Sequence, residues 1–405
     1  MIPTSKLGRI AVIYPYHWTL PNLQDIAQIL VEHNYYVDIY TLYDESFPLP
    51  NFNDRSMSVN INHPALLGGA AIRWPKWCTG RRGIFCRWFI SKICRLSLIR
   101  KMKILHEALP YVCVIGMDPK GLEDANFIAE SLSVPLVYWS LELYFRDECL
   151  NRIDNLQKEK ERKISQKTTF VVSQDHWRAE ALSIENGLDS RKMFLVPNAK
   201  RCKASRSPND YLRHRFNIPS ERKIVLSVGW PSWWSMYREI ISAAVSWPNE
   251  YVLVWQCRKR VEKASMEGMT DYSNIIFSYE PASDERYRDI VDSADVGLAF
   301  YSSDCPGSIR CKNHEIMGLS SGKLADYLQS GLPVITNKLI GTEQIIASYD
   351  CGISVDGPHD IRDALHTIFA NYQRYSENAC KCFNEQWELE KHLLPVIDQI
   401  NSIKA

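Results

Sequence analysis

Apolar runs of four to six residues alternate with amphipathic stretches along most of the chain. The runs at 9–14, 36–40, 111–116, 134–139, 169–172 and 193–196 are rich in β-branched and aromatic residues, which predicts buried parallel strands. Between them, 23–33, 121–131, 151–166 and 175–185 read as helices. The pattern then breaks: 200–208 (KRCKASRSP) is polar, basic and without period. A second series follows, with strands at 224–228, 251–255, 274–277, 296–299 and 333–336 and helices at 236–246 and 287–293. Helix and strand share 343–355, and helices close the chain at 360–375 and 385–403. Two βαβ series imply an α/β protein with two Rossmann-like, doubly wound domains. No glycine fingerprint follows the first strand, so a dinucleotide site there is disfavoured.

One block concentrates chemistry: 318–337, GLSSGKLADYLQSGLPVITN. Leu324, Tyr327 and Leu328 stand at i, i+3, i+4 and give a helix one apolar face. Ser320 or Ser321 is an N-cap, and Gly331 fits a left-handed residue after the helix. The helix start offers backbone N–H groups, two hydroxyls and the ammonium of Lys323, a setting for phosphate or diphosphate.

Composition changes this picture little. The 405 residues suffice for two domains, and a net charge of +1 points to no class of partner. Twelve scattered cysteines without a CxxC pair read as reduced thiols in a cytosolic protein. The first apolar run is too short for a signal peptide, and no apolar run reaches the ~20 residues of a membrane span. Charge distribution says more. From Arg55 to His106 there are eleven Lys and Arg and no Asp or Glu, with Trp74, Trp77, Phe85, Trp88 and Phe89 interleaved. A helix is expected over 84–105, with Phe85, Phe89, Ile93, Leu96 and Ile99 or Arg100 near one face. Three readings compete for it. It is a core-packed helix with a solvated basic face, a surface resting on anionic lipid through 73–103, or, last in rank, a nucleic-acid surface.

The block 318–337, and less specifically VVSQDHWRAEAL followed by FLVPNA at 171–199, resembles GT-B-fold nucleotide-sugar glycosyltransferases. The resemblance implies two Rossmann-like domains facing each other across a cleft. The acceptor-side domain spans 1–200, a linker 201–222, the nucleotide-sugar domain 223–384, and a C-terminal helix over 385–405 packs back on the first domain. Ser320, Ser321, Gly322 and Lys323 would hold the donor diphosphate and Asp326 the ribose. Gly229 ends the first strand of the second domain, where a ligand can approach closely. Arg258 and Lys259 follow its second strand as further cations, and Tyr279 follows its third beneath the base. The chain departs from the family twice: Gly318 stands where the first of two glutamates belongs, and Trp230 where a basic residue often follows the glycine.

Polar residues past strand ends supply the other candidates. His17 and Asp118 are the possible bases of the first domain, each with an equal claim to a loop or turn role; Glu315 is the acidic candidate near the donor sugar. The expected reaction moves a sugar from a nucleoside-diphosphate-sugar, a UDP- or GDP-sugar foremost, to a hydroxyl of a glycan or lipid-linked acceptor. No prosthetic group, no metal and no nucleic acid are called for, and retention of configuration is favoured. The expected location is cytoplasmic, with attachment to the cytoplasmic face of a membrane left open. A nucleotide-sugar epimerase and a non-catalytic glycan- or lipid-binding protein on the same fold are the alternatives.

Overall fold

The computed structural model describes residues 6–17, 22–42, 56–61, 81–257, 272–279, 284–304 and 311–404, with the backbone alone at 17, 81–92, 284–285 and 404. The chain folds as two compact units, Met1–Val196 with Glu390–Ala405, and Pro197–Leu389.

The strands of the first unit are β1 (Gly8–His17), β2 (Tyr35–Leu42), β3 (Met57–Ile61), β4 (Tyr111–Met117), β5 (Leu136–Trp139), β6 (Phe170–Ser173) and β7 (Met193–Leu195). They form a parallel sheet in the order β3-β2-β1-β4-β5-β6-β7. Every residue of β4, β5 and β6 is buried, as a sheet covered on both faces requires. The covering helices are α1 (Asn22–Glu32), α2 (Arg81–Ala108), α3 (Asp118–Leu132), α4 (Arg152–Ser165) and α5 (His176–Asn186).

The second unit carries β8 (Lys223–Val228), β9 (Tyr251–Cys257), β10 (Ile275–Tyr279), β11 (Val296–Ala299), β12 (Val334–Asn337) and β13 (Gly352–Val355). Their parallel order is β10-β9-β8-β11-β12-β13. The direction of winding reverses between β8 and β11, and the crevice past the C-terminal ends of those strands is where such sheets take ligands. The helices are α6 (Tyr211–Phe216), α7 (Tyr237–Ala244), α8 (Asp284–Asp292), α9 (Lys312–Glu315), α10 (Gly322–Gln329), α11 (Ile340–Tyr349), α12 (Ile361–Ala370) and α13 (Tyr372–Gln386). The last helix, α14 (Leu389–Lys404), returns to the first unit, where Asn401 accepts the hydroxyl hydrogen of Tyr35 at 2.5 Å.

Tyr327 seats α10 on the second sheet. Its side chain is fully buried, and its hydroxyl accepts the Val228 amide at 2.9 Å. Its ring lies against Gly297 of β11, where a Cβ would stand 2.3 Å from the ring, so only glycine allows the approach.

Several elements differ from expectation. The helix read over 360–375 is two helices, broken at Asn371, because α12 buries Ile361, Leu365 and Ile368 while α13 turns Tyr375, Ala379 and Phe383 inward along a separate line. α13 runs on to Gln386, so the last helix begins at Leu389 rather than 385. The stretch 201–222 contains α6 and belongs to the second unit. β3, whose residues are half-buried or exposed, has too weak an apolar pattern to be seen in the sequence. Among the described side chains of α2, Leu98, Ile99 and Met102 are buried, whereas Ile93 and Leu96 face solvent. Among the described residues no helix is long and apolar enough to cross a membrane.

Candidate functional site

The site is built on the crevice between β8 and β11. Gly229 follows β8 with φ +110°, a backbone region that other residues avoid. Its amide donates to the Gln256 carbonyl at 3.0 Å and its carbonyl accepts Trp255 Nε1 at 3.1 Å, which pins the turn from both sides. A short turn, Trp233–Ser235, then presents Trp234, whose carbonyl accepts the Ser302 amide at 2.8 Å.

Past β11, Asn337 clamps the backbone of Tyr301. Asn337 Oδ1 accepts the Tyr301 amide at 2.9 Å and Nδ2 donates to its carbonyl at 2.8 Å. The Tyr301 ring stacks at 6.4 Å on Trp234, and the His314 ring lies 6.0 Å from Trp234 and 6.3 Å from Tyr301. His314 Nδ1 is 2.8 Å from the Ser302 carbonyl, which can only accept, so the proton sits on Nδ1.

α10 starts beside this aromatic group. Ser321 Oγ accepts the Leu324 amide at 3.1 Å and lies 2.6 Å from the Tyr301 hydroxyl. Ser320 Oγ donates to the sulfur of Met317 at 3.1 Å. Asn198 holds the same turn, its amide donating to the Leu319 carbonyl at 2.9 Å and its Nδ2 to the Ser320 carbonyl at 3.3 Å. Neither serine hydroxyl is without a partner. Ser321 is buried as an N-cap, and Ser320 spends its hydrogen within its own turn.

What remains open to an anion is the Gly322 and Lys323 amides and the Lys323 ammonium. Among the described residues neither amide has an acceptor, and no carboxylate pairs with the ammonium. The ammonium rests 4.9 Å over the Trp234 ring and 5.2 Å over the Tyr301 ring, held by attraction to their π faces. Its half-buried setting pulls its pKa down to about 8, desolvation being the cause. Lys323 Cε stands 3.3 Å from where a Cβ on Gly229 would be. Gly229→Ala is therefore expected to strain the turn and push on Lys323. It should cost about 1–2 kcal/mol of stability, read by thermal melting, and weaken nucleotide binding.

The other expected residues are dispersed. Asp326, on the second turn of α10, accepts the Tyr287 hydroxyl at 2.7 Å. Tyr279 ends β10, separated from β8 by β9, and stacks at 6.1 Å on Phe277. Glu315 ends α9, next to His314. Arg258 and Lys259 lie outside the described residues, as does the side chain of His17. Asp118, in the first unit, opens α3 with φ +57° and is 5% exposed. Its Oδ1 accepts the amides of Leu141 at 2.7 Å and Glu142 at 2.9 Å, so it fastens the loop after β5. Desolvation, with the Glu142 charge second, raises its pKa to about 7 against the opposing pull of those amides and Arg178. Sequence reasoning passed over Trp234, Tyr301, His314, Asn198 and Asn337. Position just past a strand end was a signal available for Trp234 and Tyr301.

Residues 282–387 match the glucosyltransferase 3-like, C-terminal domain family. No curated protein matches the chain. Among solved structures, HepE from Anabaena in complex with UDP and glucose superposes with a TM-score of 0.70 at 12% identity, over 98% of this chain and 100% of that one. Sucrose-phosphate synthase from Thermosynechococcus elongatus gives 0.68 at 13% identity, over 98% and 99%. WaaG, a glycosyltransferase involved in lipopolysaccharide biosynthesis, gives 0.63 at 15%, over 96% and 98%. The fold of the whole chain is thus GT-B, and residues 282–387 within its second unit are similar to the glucosyltransferase 3-like, C-terminal domain.

Proposed function

We propose that the protein transfers a sugar from a nucleoside-diphosphate-sugar to an acceptor hydroxyl, with the diphosphate held at the start of α10. The observation that carries this is the Lys323 ammonium, lodged without a carboxylate partner among the described residues beside two open amides. A cation and a helix N-terminus repel each other unless an anion joins them, and a diphosphate supplies up to three negative charges. UDP is favoured as the nucleotide, since HepE is solved with UDP and with UDP-glucose. Asp326 is proposed to meet the ribose, with Tyr287 orienting its carboxylate.

In the proposed reaction the acceptor oxygen bonds to the anomeric carbon as the bond from that carbon to the diphosphate breaks. The charge that develops on the departing oxygen meets Lys323 and the two amides, which are already in place. This route needs no divalent metal. The acceptor proton passes to the leaving phosphate, with retention of configuration. Asp118 Oδ1 is filled by two amides, which favours a loop-fastening role for it over that of a base. The acceptor is proposed to be a glycan or a lipid-linked hydroxyl. A reducing, cytoplasmic location fits the nine described cysteines, all of them free thiols.

The inward-turned serine hydroxyls favour a second reading, a non-catalytic protein on this fold. A thermal-shift series with UDP, GDP and ADP separates the two, because a ligand bound by the native state alone raises the melting temperature. We expect UDP to stabilise most, by about 3 kcal/mol at a hundredfold excess over its dissociation constant. No stabilisation by any nucleoside diphosphate would remove the donor site.

A further inference from the structure

His314 is held in one orientation by everything around it. Its Nδ1–H donates to the Ser302 carbonyl at 2.8 Å, and the Ser302 amide donates in turn to the Trp234 carbonyl at 2.8 Å. The His314 amide donates to the Cys311 carbonyl at 2.9 Å, and the Cys311 amide to the Ser303 carbonyl at 2.7 Å, so the turn that carries the ring is tied back to the same segment. The imidazole packs against Trp233 and Trp234, each 6.0 Å away between centroids, and against Tyr301 at 6.3 Å. Three rings fix its tilt, and the bond from Nδ1 fixes its tautomer. In the neutral ring Nε2 is then an acceptor of set direction. Among the described residues no donor meets it, and it is not an enclosed atom, so it opens outward from a half-buried ring.

The place of this acceptor says what it can meet. Trp234 and Tyr301 are the two rings that carry the Lys323 ammonium, at 4.9 and 5.2 Å. Nε2 therefore lies one aromatic ring away from the cation proposed to bind the diphosphate. The sugar is the part of the donor joined to the far phosphate, and it presents hydroxyl hydrogens around an apolar C–H framework. Half-buried Trp233 and the edge of His314 supply the matching surfaces, an apolar flank and one placed polar atom. The nucleobase is expected by Tyr279 at β10, on the other side of β8 from β11, so it does not compete for this group.

We propose that His314 determines which sugar the donor carries, its Nε2 accepting the hydrogen of one sugar hydroxyl beside the Trp233 ring. This inference rests on the reading that the diphosphate lies at the start of α10. A histidine that served packing alone would need its ring but not a free nitrogen, and that difference can be measured.

The experiment is calorimetric titration of the full chain with UDP, UDP-glucose, UDP-galactose and UDP-N-acetylglucosamine. His314→Phe keeps a flat ring against Trp233 and Trp234 and removes the acceptor; His314→Gln returns an acceptor oxygen on a chain long enough to reach the place of Nε2. Melting curves establish that both variants are folded. UDP is expected to bind all three proteins alike. For at least one UDP-sugar, His314→Phe should lose about tenfold in affinity relative to UDP, and His314→Gln should recover part of that loss. The wild type's ranking of the three sugars should flatten in His314→Phe, because an acceptor placed for one hydroxyl discriminates against a sugar that presents it differently. Equal losses for UDP and the UDP-sugars would make His314 a packing residue and overturn the proposal, as would UDP-sugar affinities unchanged in His314→Phe. Failure of the wild type to bind UDP or any of the UDP-sugars would instead remove the donor site itself, and this inference with it.

Discussion

Lys323→Met should make the protein bind UDP more weakly and fold more stably. The ammonium is expected to contribute a charge-assisted contact of about 2 kcal/mol to a bound diphosphate, so affinity should fall about 30-fold. In the absence of ligand the same charge is a cost. Burial lowers its pKa from the ordinary 10.5 to about 8, and at about 1.4 kcal/mol per pH unit, discounted for partial exposure, that is roughly 1–3 kcal/mol. At pH 7 the lysine is protonated folded and unfolded, so the whole cost applies and the variant should melt a few degrees higher. From pH 8 upward the folded state holds fewer protons than the unfolded one, so wild-type stability should rise towards pH 10.5 relative to the variant's. Wild-type UDP affinity should fall over the same range as the ammonium is lost. Melting curves and calorimetric titration across pH read both. Wild-type affinity for UDP in Lys323→Met would show that the diphosphate lies elsewhere.

Asp118 should give a pH response of the opposite sign. Its folded pKa, raised to about 7, lies above the ordinary 3.8. The folded state therefore holds more protons between those values, and the stability due to this group is present below pH 4 and lost as pH rises through 7. The full span corresponds to about 4 kcal/mol as an upper bound. Asp118→Asn keeps an oxygen for the Leu141 and Glu142 amides without burying a charge. It should equal the wild type near pH 4 and exceed it at pH 8 by about 1–4 kcal/mol, less whatever the buried Arg178 loses when its neighbour is neutral. Asp118→Ala should instead destabilise at every pH, since two amides are orphaned at about 1–3 kcal/mol each. Calorimetric scans of the three proteins distinguish these outcomes. Transfer activity adds a separate readout: a base would be lost in Asp118→Asn, whereas a loop fastener survives it.

Parallel strands and covering helices were legible because burial on both faces leaves unbroken apolar runs, as at 111–116 and 251–255. The run of α10 into β12 was legible for a local reason too: a cap, an apolar face and a glycine all act within one turn of their own position. The stripe at 93–104 was visible as a helical pattern, but its direction was not. An apolar face buried on α3 and one turned to water have the same spacing, and only the position of Leu98 and Met102 against the unit decides between them.

The sequence by itself determined that α10 begins at a serine and carries a lysine in its first turn, since capping and helical period are local. The partner of the Ser321 hydroxyl was decided by tertiary structure: Tyr301, just past β11, lies against its Oγ, whereas Ser320 Oγ donates locally, to Met317. Tertiary structure also put Trp234, Tyr301, Gly229 and Lys323 together, from segments up to ninety-four positions apart in the chain. The reversal of winding between β8 and β11 opens the crevice they line, and strand order is a property of the whole sheet that no single stretch of sequence contains.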